Sequence, residues 1–116
     1  MKYETTAGFD NDFSKLPREH RALFMTAVTA HLLPALASGA HRGEAPWPRR
    51  LRIHKIADTF SLTWSFAGPD GRALFVIRPG ADDIPVLTWL AIGYHDIIAS
   101  RVRQQARPAG CSFTPA

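Results

Sequence analysis

Residues 60–77 read FSLTWSFAGPDGRALFVI, and the fold turns on this stretch. Its first half alternates without a break. Phe60, Leu62, Trp64 and Phe66 share one parity, and Ser61, Thr63 and Ser65 share the other. Successive side chains of a strand point to opposite faces, so the pattern describes a strand with one apolar face and one small polar face. Gly68, Pro69, Asp70 and Gly71 then concentrate turn-forming residues. Residues 73–77, ALFVI, are apolar on both parities, which suits a central strand covered on both sides. Two strands joined this way form an antiparallel hairpin.

The reading extends in both directions. After a loop over residues 79–85, VLTWLAIG (86–93) is a second strand apolar on both parities. YHDIIASRV (94–102) closes with a short helix, and residues 104–116 have the polar, Gly- and Pro-containing composition of a disordered tail. Upstream, RLRIHKI (50–56) alternates again, with Arg50, Arg52 and His54 opposite the apolar Leu51 and Ile53. GAHRGEAPWP (39–48) is a loop. Before it the period is helical. Phe9, Phe13 and Leu16 line one face of a short helix. Phe24, Val28, Leu32 and Leu36 line a second helix that Pro17 opens. Pro34 lacks an amide donor and is expected to end or kink that helix near Leu33. Residues 2–6, KYETT, form a candidate first strand. The expected fold is α+β: two N-terminal helices packed on a small, mainly antiparallel sheet, in one domain over residues 1–103.

Composition sets the class. The chain has 116 residues, 46% of them apolar, which is enough for one core without disulfides or a structural metal. Its single cysteine, Cys111, excludes an internal disulfide framework and a cysteine zinc cage. No apolar run nears the ~18 residues of a membrane span, and MKYETTAGFD lacks the apolar core of a secretory signal. A cytoplasmic protein with no membrane, metal or cofactor requirement is the expectation. The formal charge is +4, and residues 42–55 account for all of it: Arg42, Arg49, Arg50, Arg52 and Lys55 against Glu44. Arg101, Arg103 and Arg107 add a second acid-free basic segment. One-sided positive charge suits a polyanion or an acidic protein partner; the plain alternative is a solvated basic face.

No Gly-rich phosphate loop, HExxH or CxxC is present. Arg72 directly follows the turn, where a guanidinium fork suits a phosphate; the alternative is a surface arginine flanking a turn. Tyr94, His95 and Asp96 lie where the last strand leaves the sheet. At most one of Tyr94 and His95 faces the basic surface. His95 there could serve as a general acid or base, or simply bond a loop carbonyl. His54 and Lys55 carry the same ambiguity. Trp64 and Trp89 read as core residues, and Trp47, between two prolines, as a partner-facing aromatic.

In this order and spacing, FDNDFSKLP, the helix pair, RLRIHKI, LTWSF–GPDGRALF and IGYHDII resemble the RelE/ParE superfamily of bacterial toxins over roughly residues 3–100. The resemblance implies a toxin of a type II toxin–antitoxin system. It implies a ribosome-dependent mRNA endoribonuclease that drives the ribose 2′-hydroxyl onto the adjacent phosphate and so inhibits translation. By position it assigns phosphate stabilisation to Arg72 and acid–base chemistry to His95, with His54 secondary. Arg50, Arg52, Lys55, Tyr94 and Arg101 would contact RNA. Ser61 and Thr63 stand where RelE carries lysines, and Arg101 near the family's C-terminal tyrosine. The implied partners are a cognate antitoxin, mRNA and the ribosome. The family's other branch, ParE-like gyrase inhibitors, and non-catalytic antitoxin-binding relatives share the fold.

Overall fold

Thr6 ties the first strand to the first helix. Its Oγ1 accepts the amide of Phe9 at 3.1 Å as a helix N-cap and donates to the Trp89 carbonyl at 3.1 Å. The computed structural model describes residues 1–64 and 70–94. In chain order the elements are β1 (Lys2–Thr5), α1 (Ala7–Ser14), α2 (Arg18–Ala27), α3 (Leu33–Ala37), β2 (His54–Ile56), β3 (Thr59–Trp64), β4 (Gly71–Pro79) and β5 (Pro85–Tyr94). The chain is α+β, as expected, with a five-stranded mixed sheet in the order β1-β5-β4-β3-β2. β1 runs parallel to β5, and the other three pairings are antiparallel. The helices follow β1 rather than opening the chain.

Pro34 does not end the second helix. Val28–Leu32 forms a π turn in which the Leu33 amide reaches back to the Val28 carbonyl, and α3 continues to Ala37. A proline ring clashes with the carbonyl one turn earlier, and widening the preceding turn accommodates it without breaking the rod. The left-handed Gly39 (φ +87°) then stops the helix.

One face of the sheet carries Phe60, Leu62, Trp64, Ala73, Phe75, Leu87, Trp89 and Ile92 against Phe9, Leu16, Phe24, Val28, Leu32 and Leu36 of the helices. The predicted stripe of the second helix, Phe24, Val28, Leu32 and Leu36, is buried in full, while of the first helix's stripe Phe9 and Leu16 are buried and Phe13 is half-buried. Phe75 stacks on Phe60 with ring centres 5.2 Å apart and meets Trp89 edge-on at 5.2 Å. Trp47 also joins this core, packing half-buried against Phe60 at 5.7 Å instead of facing outward. In β5 the core residues are spaced by two and then by three. The register slips between Leu74 and Phe75, so that Leu74 opposes Ala91 while Phe75 opposes Trp89. This bulge absorbs Leu90 and turns both Trp89 and Ile92 inward.

The expected strand over 50–56 shrinks to His54–Ile56. Arg49–Leu51 is a 3-10 turn and Arg52 is left-handed at φ 43°. The cause is Leu51, which is fully buried in the core and pulls the chain off the sheet edge. Tyr94, expected to open the closing helix, is instead the last residue of β5. The rest of that helix over 95–102, part of the GPDG turn, the domain limit at residue 103 and the tail over 104–116 fall outside the described residues.

Candidate functional site

The sheet has a second face, away from the helices, and strand register decides which side chains share it. His54 opposes Ser61, Ser61 opposes Leu74, and Leu74 opposes Ala91. One step nearer the end of β5, Thr63 opposes Arg72 and Arg72 opposes Gly93. Directly paired residues point to the same face, so His54, Ser61, Thr63, Leu74, Ala91 and Arg72 form one surface. Its centre is closed to solvent: Leu74 is 0% and Thr63 2% exposed. Its accessible groups are on the rim, where Arg72 is half-buried and His54 exposed. Strand spacing puts the Cα atoms of these two residues roughly 12 Å apart.

Arg72 carries the most informative atom on this face. Its Nε is shut off from solvent and has no hydrogen-bond acceptor among the described residues. An unpaired buried donor costs about 1–3 kcal/mol, more when it belongs to a charged group. Thr63 beside it and the side-chain-free Gly93 flank the guanidinium stem. Arg52 approaches the same corner from the loop before β2. It pairs with Asp70 at 3.6 Å, one residue ahead of Gly71. Arg72 is thus beside the end of β5, Arg52 is tied by Asp70 to the start of β4, and His54 is two strands away on β2.

The remaining candidates do not join them. Lys55 alternates to the helix side, with its Nζ 5.5 Å from the Phe60 ring centre. Tyr94 is on the helix side too, and its hydroxyl bonds the Nδ1 of His20 at 2.6 Å. Arg50 is exposed on the 3-10 turn rather than on a strand. His95 and Arg101 lie outside the described residues. Of the basic run over 42–55, Arg42 is turned toward its own loop and grips both carboxylate oxygens of Glu44, at 2.9 and 3.1 Å. That bond and charge hold the Glu44 carboxyl below its ordinary value. Burial, with the Arg42 cation alongside, holds His41 below its own. A basic cluster in sequence is thus dispersed in space.

His20 was not a sequence candidate, because its partner is 74 positions away and no local pattern marks it. Trp64 and Trp89 are core residues as expected. Among the described residues, no three His, Cys, Asp or Glu side chains converge as a metal site, and no helix is long and apolar enough to cross a membrane.

No protein-family model matches the chain, and no curated protein or solved structure is significantly similar to it.

Proposed function

We propose that this chain is a toxin of the RelE/ParE type, an endoribonuclease that acts on messenger RNA in the ribosome. The observation that carries the reading is the half-buried Arg72 with its unpaired Nε on the sheet face away from the helices. A guanidinium fork at this place is a cation that suits a phosphate. It suits the stabilisation of charge that builds on phosphorus as the 2′-hydroxyl attacks. The cleavage moves a proton off that hydroxyl and another onto the departing 5′ oxygen, so it needs a base and an acid. His95, next to Tyr94 in sequence, and the exposed His54 are the imidazoles proposed for that work. Arg52, once released from Asp70, is a second cation for the RNA backbone. The sequence elements that resemble the family occur here in the order strand, two helical rods and antiparallel strands. A ribosomal site of action implies the cytoplasm. The proposed protein partner is a cognate antitoxin with a segment that folds on binding.

A second reading is favoured by one observation. Ser61 and Thr63, at positions where the resemblance puts lysines, are buried hydroxyls on that face. They supply neither a cation nor a strong base, which favours a ParE-like gyrase inhibitor or a non-catalytic antitoxin-binding relative. Translation of a defined message in vitro, with 5′ ends mapped, separates the two. The nuclease reading expects cuts within ribosome-occupied codons by the wild type. Removing one charge-stabilising donor costs on the order of 10²–10³ in rate, so Arg72→Ala should nearly abolish them, as should His95→Ala. A message left intact by the wild type refutes the nuclease and moves the test to gyrase.

A further inference from the structure

Among the described residues, β1 ends the sheet and nothing pairs with its outer edge. All four of its residues are exposed, and Tyr3 is 50% exposed. The Thr6 amide points inward to the Trp89 carbonyl. In a parallel ladder the inward groups alternate along the strand, so Glu4 and Lys2 also face β5. Tyr3 and Thr5 therefore aim their N–H and C=O groups outward. An exposed strand edge of this kind is a template for another strand. On the helix side it borders an apolar groove of about 440 Å3, lined by Tyr3, Phe13, Val28 and the half-exposed Met25. On the opposite side stand Lys2 and Glu4, the latter held by a 3.0 Å bond from the Thr88 hydroxyl.

We propose that this edge is self-complementary, and that two copies of the chain join antiparallel through β1 with Tyr3 opposite the partner's Tyr3. The charge pattern selects the occupant and the register. A two-fold axis perpendicular to the sheet keeps the helix sides together, so side chains pair only with residues of the same parity. Three central registers satisfy this. One sets Lys2 against the partner's Lys2, and another sets Glu4 against the partner's Glu4. Only the register centred on Tyr3 sets Lys2 against the partner's Glu4 and Glu4 against the partner's Lys2. Opposite charges directly across two strands stabilise and like charges destabilise; the two-fold axis repeats the Lys2–Glu4 pair, whereas a like-charge pair on the axis occurs once. The same register brings the outward groups of Tyr3 into a mutual pair of backbone hydrogen bonds. It also sets the partner's Met1 beside Thr5, at the mouth of the apolar groove. The interface does not depend on which function the Arg72 face performs.

Sedimentation velocity of the full chain over a concentration series tests this. The wild type should show a monomer–dimer equilibrium. Lys2→Glu, which leaves the Thr88–Glu4 bond in place, should weaken association about tenfold, and so should Glu4→Lys. An equimolar mixture of the two variants should associate again, because each then meets the opposite charge at both positions. Thermal unfolding at the wild-type temperature shows that the variants are folded. A wild type that stays monomeric at every concentration overturns the proposal and leaves the edge to an extended strand of another protein. A dimer unaffected by Lys2→Glu, or a mixture that fails to associate, overturns it as well.

Discussion

Substituting Gly71 with alanine tests the packing that anchors the β3–β4 hairpin beside Arg72. Gly71 opposes Trp64 on β3 and Tyr94 on β5, and its backbone lies in no left-handed region. Judged by its backbone alone, the change should help. Replacing glycine where alanine fits reduces the freedom of the unfolded chain and gains about 0.4–1 kcal/mol. The side chains reverse the sign. A Cβ at Gly71 would fall inside the Trp64 indole, meeting its Cζ2, Cε2 and Cη2 atoms. The indole has little room to retreat, since it is 3% exposed and lies 5.2 Å from the Phe24 ring. Overpacking a filled core costs about 1–3 kcal/mol, so the net effect is a loss of about 1–2 kcal/mol. For a chain of this length that lowers Tm by about 4–8 °C. Scanning calorimetry or urea unfolding reads it directly. In a Trp64→Phe background the smaller ring frees the space, and the cost of Gly71→Ala should fall by about 1 kcal/mol. A Gly71→Ala protein as stable as the wild type, or more stable, would refute the reasoning.

Two further outcomes follow from other parts of the molecule. Tyr94→Phe removes the 2.6 Å bond to His20 and should cost about 0.5–1.5 kcal/mol in urea unfolding, with no such cost in a His20→Phe background. RNA affinity should be unchanged by Tyr94→Phe, because the ring is on the helix side; a loss matching that of Arg72→Ala would contradict this placement. Stability should also decline with acid. His41 is held below its ordinary 6.5, so the unfolded chain takes up its proton first, and stability falls as pH drops from about 6.5 through the lowered value. Glu44, held below its ordinary 4.5, adds a second decline of the same sign beneath that pH. Urea midpoints measured from pH 7 to 4 should show the upper decline in the wild type and lose it in His41→Gln.

The sequence by itself determined the elements that have an uninterrupted period. Phe60, Leu62 and Trp64 declared a strand and its buried face. Phe24, Val28, Leu32 and Leu36 declared a helix stripe, because both patterns are set by the geometry of one segment against one core. The tertiary structure decided whatever depended on two distant segments at once. The π turn before Pro34 accommodates the proline ring while Phe24, Val28, Leu32 and Leu36 on both sides of it stay in one core. The bulge at Leu90 exists because Trp89 and Ile92 must both turn inward against β4. Leu51 converted half of an apparent strand into a turn by its burial, which took Arg50 and Arg52 off the sheet. The candidate site divides along the same line. That Arg72 follows a turn was legible at once. That its Nε is buried without a partner among the described residues, that Lys55 and Tyr94 face the other way, and that His20 meets Tyr94 are consequences of register between strands and of helix-on-sheet packing. Those are set by long-range contacts, which no local spacing encodes.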